Sequence, residues 1–185
     1  MVERFYLCID LKSFFASVEA VDRGLDPFTT NLVVADPSRG RGSVCLAITP
    51  AMKALGIRNR CRVFEIPRGV EYITAMPRMK KYMEVSAQIY GIYLRYISPE
   101  DIHVYSIDEC FIDITPYLKM YKRSPKEMAI MLMDAVRAET GICATAGIGT
   151  NLGCVGSVIP TEEKMLMLCD WAAAVEEAIG RPLEI

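Results

Sequence analysis

The chain contains 185 residues, 52% of them hydrophobic, which is ample for a folded core, and its 21 basic and 23 acidic side chains give a net charge of −2. No apolar run approaches the roughly 18 residues of a membrane span and the first residues do not form a secretory leader, so we expect a cytoplasmic protein without a membrane segment. A single histidine excludes a Cys/His zinc set, and the lack of a basic excess predicts weak affinity for nucleic acid.

The first predicted element is an apolar strand from Phe5 to Ile9 that leads directly into Asp10. Ser13 is of the residue type that caps helices, and apolar residues continue beyond it at helical spacing. Asp10 therefore lies at the carboxyl end of a buried strand, which is where open α/β sheets bind ligands.

A segment of short elements follows over residues 26–76. Strands are predicted at residues 32–35 and 43–49, and a short helix is predicted to begin at Pro50 and end at Gly56. The loops of this segment carry two clusters of arginine: Arg39 and Arg41, then Arg58, Arg60 and Arg62. Such clusters either contact phosphate groups or simply face solvent, and the sequence leaves both interpretations open.

Two longer helices are predicted on either side of residues 103–115. The first begins at Pro77 and ends near Tyr96. Its core face is predicted from apolar spacings of three and four as Met79, Met83, Ala87, Tyr90 and Leu94. The second begins at Ser124 as N-cap and ends at Gly141, and a final strand covers residues 142–148.

Residues 103–115, HVYSIDECFIDIT, alternate at a period of two and predict two short strands joined by a tight turn. Asp108 and Glu109 lie at that turn, within a run that otherwise favours burial. Burying two unpaired carboxylates costs several kcal/mol of folding free energy unless a cation such as Mg²⁺ binds them. The alternative is that they cap a solvent-exposed hairpin. The position of Asp10 favours the metal-site interpretation. Three carboxylates at two strand ends match the sites that hold two ions about 4 Å apart for phosphoryl transfer.

The order of elements is strand, helix, inserted segment, helix, strand, strand, helix, strand. This order predicts an α+β fold with a ferredoxin-like βαββαβ domain and an insertion after its first helix.

Four segments carry a family resemblance, and they occur in the order CIDLKSFFASVE, SVCLAITPAMKALGI, YSIDECFIDIT and AGIGTNL. They resemble the Y-family DNA polymerases, the error-prone translesion group, and most closely its UmuC-like branch. The resemblance runs from about Phe5 to Leu152. It implies a catalytic palm over residues 1–25 and 77–152, a small fingers domain over residues 26–76, and a role in DNA repair with primer-template DNA and dNTP as partners.

The resemblance also implies a catalytic centre. Asp10, Asp108 and Glu109 would bind two Mg²⁺ ions, with Mn²⁺ as a substitute. Backbone amides at the start of the first helix would receive phosphate oxygens. The residues of that segment are Leu11, Lys12, Ser13, Phe14 and Phe15, and the resemblance makes Phe15 the steric gate that excludes a ribose 2′-hydroxyl.

The family's two triphosphate contacts in the fingers are a Tyr and an Arg, and the matching residues here are Pro50 and Lys53. Lys53 keeps a point charge without the bidentate fork of arginine. Proline lacks the hydroxyl of tyrosine, and we expect Thr49 to supply one instead.

Beyond Leu152 the chain departs from the family pattern. Gly156 occupies the place of a lysine that reaches the triphosphate in the family. Residues 153–185 read as a divergent tail with one amphipathic helix over Thr161–Ile179, which is expected to cover the palm or to pair with a second copy as a homodimer. Complete family members also have thumb and little-finger domains, so we expect this chain to be weakly active or inactive alone.

Two other functions remain open at this stage. A non-catalytic relative would fold and bind nucleotide or a partner without copying DNA. A two-metal nucleotide cyclase would also use a palm and a carboxylate pair, although the CIDLKSFFASVE segment and the fingers insertion do not suit that class.

Overall fold

The computed structural model describes residues 4–150, which divide into two compact units. The first unit consists of residues 4–11 and 83–150, and the second of residues 12–82. These units divide the chain after residues 11 and 82, whereas the predicted palm and fingers domains divide it after residues 25 and 76. The predicted domain limits remain a prediction. Gly156 and the predicted tail helix, with its proposed pairing, lie outside the described residues.

The described residues form a mixed fold of helices and strands. In chain order the elements are β1 (Tyr6–Leu11), α1 (Phe14–Asp22), β2 (Leu32–Val34), β3 (Ala47–Ile48), α2 (Pro50–Ala54), β4 (Ile73–Ala75), α3 (Met79–Tyr93), β5 (Ile102–Ser106), β6 (Glu109–Asp113), α4 (Thr115–Tyr121), α5 (Pro125–Thr140) and β7 (Ala144–Gly149). The sequence did not predict α4, which begins with a proline in its first turn. No helix within residues 4–150 is long and apolar enough to cross a bilayer.

The first unit contains a four-stranded antiparallel sheet with strand order β5-β6-β1-β7. The hairpin of β5 and β6 was predicted from the alternation of residues 103–115, and the structure confirms it. The central strand β1 buries Leu7, Ile9 and Leu11 on one face, whereas its other face carries half-buried Tyr6, buried Cys8 and exposed Asp10. Ile9 and its partner Cys110 lie on the side lined by α3, whereas Cys8 packs with Tyr105 and Phe111 on the other.

Helix α3 is predicted correctly in position, but its predicted core stripe is only partly right. Ala87 and Tyr90 are buried as predicted, whereas Met79 is exposed and Met83 and Leu94 are half-buried. The buried side chains that the stripe missed include Tyr82, Ser86, Ile89 and Tyr93, at spacings of four, three and four. The error arises because Met, Ala and Tyr occur at helical spacing on two adjacent faces, and only packing decides which face is buried.

Helix α5 begins and ends as the sequence predicts. The Ser124 hydroxyl accepts a hydrogen bond from the backbone N–H of Glu127, and the Glu127 carboxylate accepts one from the Ser124 N–H at 2.8 Å. This reciprocal pair satisfies two amides that the helix cannot pair internally. Gly141 ends the helix at φ 69°, a left-handed conformation that glycine adopts without steric cost.

The second unit has its own small sheet with strand order β3-β2-β4 and its own core. Pro50 is the first residue of α2, as predicted. Thr49, the N-cap, is fully buried and bonds the backbone of the same unit: its hydroxyl donates to the Thr30 carbonyl at 2.8 Å and accepts from the Leu32 amide at 3.1 Å.

A buried charge cluster joins α1 to the start of α3 within the second unit. The Glu19 side chain is 0% exposed. Its carboxylate accepts two hydrogen bonds from Arg78, at 2.9 and 3.0 Å, one from the Tyr82 hydroxyl at 2.8 Å, and another from Arg23. Burial by itself raises the pKa of Glu19, but these donors outweigh it and the net pKa is lowered. Four donors therefore compensate one fully buried negative charge.

We predict that Glu19→Gln lowers the free energy of unfolding by about 3 kcal/mol, because it removes the buried charge that neutralises two arginines. Urea denaturation of the full chain at neutral pH measures the change, with exposed Glu71→Gln as the matched control. Since the folded-state pKa of Glu19 is lowered, the contribution is complete above the ordinary glutamate pKa and disappears as the pH falls through the folded value. Equal stability of the two variants at neutral pH would contradict the prediction.

Candidate active site

Three carboxylates predicted to act together lie at one end of the first unit's sheet. Asp10 is the penultimate residue of β1 and is exposed, Asp108 lies in the turn before β6, and Glu109 is the first residue of β6. Asp108 and Glu109 are half-buried. The hairpin thus brings residues almost one hundred positions apart to adjacent places in two neighbouring strands.

The pairing of β1 with β6 sets Asp10 directly opposite Glu109. The Leu11 amide donates to the Asp108 carbonyl at 2.9 Å, so the next pair along the ladder is a narrow hydrogen-bonded one. Because narrow and wide pairs alternate in antiparallel sheets, Asp10 and Glu109 occupy a non-hydrogen-bonded position, where opposed side chains come closest. Two negative charges therefore project from one edge of the same face.

Two further side chains donate hydrogen bonds to the carboxylates of Asp108 and Glu109. The Cys8 thiol donates to Glu109 Oε1 at 3.2 Å, and the Ser106 hydroxyl donates to Asp108 Oδ1 at 2.8 Å. Burial, the hydrogen bond to Glu109 and the nearby negative charges together raise the pKa of the Cys8 thiol to about 12, and burial is the largest cause. The thiol is therefore protonated at neutral pH and acts as a donor. Cys8 was not predicted as a site residue, although its position two before Asp10 places both on one strand face.

The donor set suits a hard divalent cation, because carboxylate oxygens are the ligands that Mg²⁺ and Mn²⁺ prefer. Within residues 4–150, no three His, Cys, Asp or Glu side chains are already gathered around one point. Within that range, neither Asp108 nor Glu109 forms a salt bridge with Lys or Arg. Asp10 and Glu109 therefore present two oxygen donors side by side, with Asp108 adjacent in sequence.

The segment after Asp10 turns sharply into α1. Ser13 is the N-cap residue, as predicted, but it makes no side-chain cap bond and adopts a left-handed backbone with φ 50°. For a non-glycine residue this conformation costs about 1 to 2 kcal/mol. The buried Ser17 hydroxyl, which donates to the Lys12 carbonyl at 2.7 Å, helps to hold the turn. Such strained turns are common where a backbone must meet a ligand.

Phe14 and Phe15 follow this turn and have different surroundings. Phe14 is buried, whereas Phe15 is half-buried and stacks on Tyr82 with ring centroids 4.5 Å apart and an interplanar angle of 14°. The two phenylalanine rings lie 5.9 Å apart at 51°. Tyr82 is 67 positions away from Phe15, and no sequence signal identified this partner.

The remaining predicted nucleotide contacts lie in the second unit. Lys53 is exposed in the last turn of α2. The Thr49 hydroxyl already donates to the Thr30 carbonyl and accepts from the Leu32 amide, and its predicted contact with nucleotide remains a prediction. Arg39 and Arg62 line one groove, where Arg39 pairs with Asp36 at 3.4 Å and Arg62 donates to the Gly42 carbonyl.

Comparison with known proteins gives concordant matches. The profile of the impB/mucB/samB family matches residues 9–154. The chain is 40% identical over 147 residues to a putative UV-damage repair protein, UvrX, of Bacillus subtilis, and 36% identical over 155 residues to DNA polymerase IV 2 of the same organism. These matches cover 79% and 82% of the chain, but 34% and 36% of the two relatives, so the chain spans about a third of their length.

Among solved structures, DinB from Sulfolobus solfataricus has a similar fold. The TM-score is 0.67 at 22% sequence identity, over 80% of this chain and 42% of that one. At this identity the likeness speaks for the fold alone.

We predict that Glu109→Gln raises the free energy of unfolding of the metal-free protein by up to about 1 kcal/mol, because it removes one of two like charges on opposed residues. The amide keeps an oxygen that can accept the Cys8 hydrogen bond. Urea denaturation in EDTA at low salt measures the gain, and added NaCl should reduce it. Glu100→Gln, an exposed carboxylate in the same unit, is the control. A loss of stability in Glu109→Gln would contradict the expected repulsion.

Proposed function

The chain belongs to the impB/mucB/samB family of Y-family translesion DNA polymerases, and we propose that its described residues carry the nucleotidyl-transfer site of such an enzyme. The observation that carries the proposal is the direct opposition of Asp10 and Glu109 across β1 and β6, with Asp108 beside them. Opposed carboxylates repel each other, and a divalent cation bound between them would attract both.

Strand order supports the assignment of the first unit as the palm. Its four sheet strands occur in sequence as β1, β5, β6 and β7 and lie in the sheet as β5-β6-β1-β7. This is the arrangement that a ferredoxin-like βαββαβ fold requires, with α1 and the segment of residues 26–76 between its first two strands. We propose that this segment is the fingers domain.

In the proposed site, Asp10, Asp108 and Glu109 hold two Mg²⁺ ions through their carboxylate oxygens. When bound, the metal supplies charge that makes a primer 3′-hydroxyl more acidic and neutralises the departing pyrophosphate. Cys8 and Ser106 keep their hydrogen bonds to Glu109 and Asp108, and so restrict the rotamers of two of the three ligands.

The amides from Leu11 to Phe15 form the proposed phosphate-binding segment. The left-handed Ser13 lies at the start of α1, where unpaired N–H groups and the helix dipole favour anions. Lys53 is the proposed cation for the triphosphate from the fingers. We propose that Phe15 is the steric gate, because it follows the phosphate-binding turn and its side chain is only half-buried.

Affinity for primer-template DNA is proposed to be weak for this chain. Binding of nucleic acid depends on the release of counterions by Lys and Arg, and 21 basic side chains are balanced by 23 acidic ones. Nucleotide binding is therefore the more sensitive readout of the site, and extension of a primer is expected to be slow.

We predict that the full chain binds a dNTP in the presence of Mn²⁺ and that Asp10→Asn weakens this binding at least about tenfold, since one of three ligand carboxylates is lost. Titration calorimetry with dATP, with and without Mn²⁺, measures the change. Asp134→Asn, an exposed carboxylate on α5, is the matched control and should bind like the wild type. Equal affinity of wild type and Asp10→Asn would contradict the metal assignment.

We predict that Phe15→Ala reduces discrimination against ribonucleotides by at least about tenfold, because a single steric contact with the 2′-hydroxyl supplies about 1 to 3 kcal/mol of selectivity. The ratio of the affinities for dATP and ATP in Mn²⁺ measures it. Phe28→Ala removes an exposed ring elsewhere in the second unit and should leave the ratio unchanged. An unaltered ratio in Phe15→Ala would remove Phe15 from this role.

A further inference from the structure

We propose that Tyr82 is a positioning residue for sugar selection: its ring, anchored to Glu19, holds the Phe15 ring in the orientation that excludes a ribose 2′-hydroxyl. The inference rests on the proposed function of Phe15 as the gate. It adds a second residue, distant in sequence, on which selectivity depends.

The contact between the two rings is close and nearly parallel. Their centroids are 4.5 Å apart and their planes differ by 14°. Tyr82 is 0% exposed, so its own position is fixed by packing, whereas Phe15 is half-buried. One face of the half-buried Phe15 ring thus lies against the buried Tyr82 ring.

The hydroxyl of Tyr82 fixes the orientation of that support. It donates to Glu19 Oε1 at 2.8 Å, and the same carboxylate is held by Arg78 through two bonds and by Arg23. Removing any one donor leaves the others in place, so the acceptor for Tyr82 is well defined. The plane of the Tyr82 ring is therefore set at one end by helix α3 and at the other by Glu19.

Helix α1 presents both partners of Tyr82 on one side. Phe15 and Glu19 are four residues apart, which places their side chains one above the other on the helix surface. The Tyr82 ring lies against Phe15 while its hydroxyl reaches Glu19. Phe15, Tyr82 and Glu19 therefore interact in series, and Arg78, which binds Glu19, also donates to Asp22 Oδ2 at 2.6 Å.

A gate that works by steric exclusion must keep its ring in place when a larger sugar presses against it. A ring that changes its χ angles gives way and loses selectivity, and functional groups need to be held within about 0.5 Å of their working position. A flat aromatic support restricts the tilt of Phe15, whereas an aliphatic side chain of similar size fills the space without fixing the plane.

The test compares Tyr82→Leu with Tyr82→Phe in the full chain. Tyr82→Leu removes the stack and the hydrogen bond, and discrimination between dATP and ATP in Mn²⁺ is expected to fall by about tenfold, approaching that of Phe15→Ala. Tyr82→Phe keeps the ring and loses only the bond to Glu19, so a smaller fall of about threefold is expected. Recovery of most selectivity by phenylalanine is a result that a merely space-filling role does not predict.

A double variant shows whether Tyr82 acts through Phe15. In the Phe15→Ala background, Tyr82→Leu should cause no further loss of discrimination, because the ring it supports is absent. Losses that add fully in the double variant would overturn the inference. So would an unchanged ratio in Tyr82→Leu when Phe15→Ala has lowered it.

Two outcomes separate this inference from the proposed function. Wild-type protein that binds neither nucleotide with Mn²⁺ would overturn the proposed function and the inference with it. Wild-type protein that discriminates normally, together with Tyr82→Leu that discriminates equally well, would overturn the inference alone. If Tyr82→Leu does not fold, Tyr82→Phe carries the test, and an unchanged ratio in that variant would overturn the role of the Glu19 bond.

Discussion

The arrangement of the candidate site depends on the opposition of Asp10 and Glu109 across two central strands of the first unit's sheet. Antiparallel pairing places two carboxylates where side chains approach most closely, and like charges opposed in this way repel each other. The hydrophobic residues on both faces of β1 hold the pair in register despite the repulsion. Burial of these core residues thus stabilises a strand pairing that places two carboxylates opposite each other.

The second unit contains the opposite use of charge. Glu19 is fully buried and compensated by four donors, so it strengthens the packing of α1 against the beginning of α3. Glu19 is buried while both arginines reach solvent, and removing a donor would leave a buried carboxylate with fewer partners, which is costly. The geometry that the bonds to Glu19 fix includes the stack of Tyr82 on Phe15.

The two clusters also differ in the charge of the groups that donate hydrogen bonds to their carboxylates. The carboxylates of the first unit are backed by neutral donors from Cys8 and Ser106, which orient them without cancelling their charge. A lysine in either place would pair with the carboxylates and compete with a cation. The donors that surround Glu19, in contrast, include the guanidinium groups of Arg23 and Arg78, which compensate its charge.

The sequence by itself determined the elements with strong local signals: the hairpin of residues 103–115, the caps of α5 at Ser124 and Gly141, and three carboxylates placed at strand ends. These follow from alternation, capping chemistry and the cost of burying charge, all of which act over a few residues. Tertiary structure alone decided that Tyr82 lies on the buried face of α3, that Thr49 is committed to the backbone around β2, and that Glu19 collects donors from two helices. Partners 17 to 67 positions apart leave no periodic trace, because packing between elements, not spacing along the chain, selects which side chains meet.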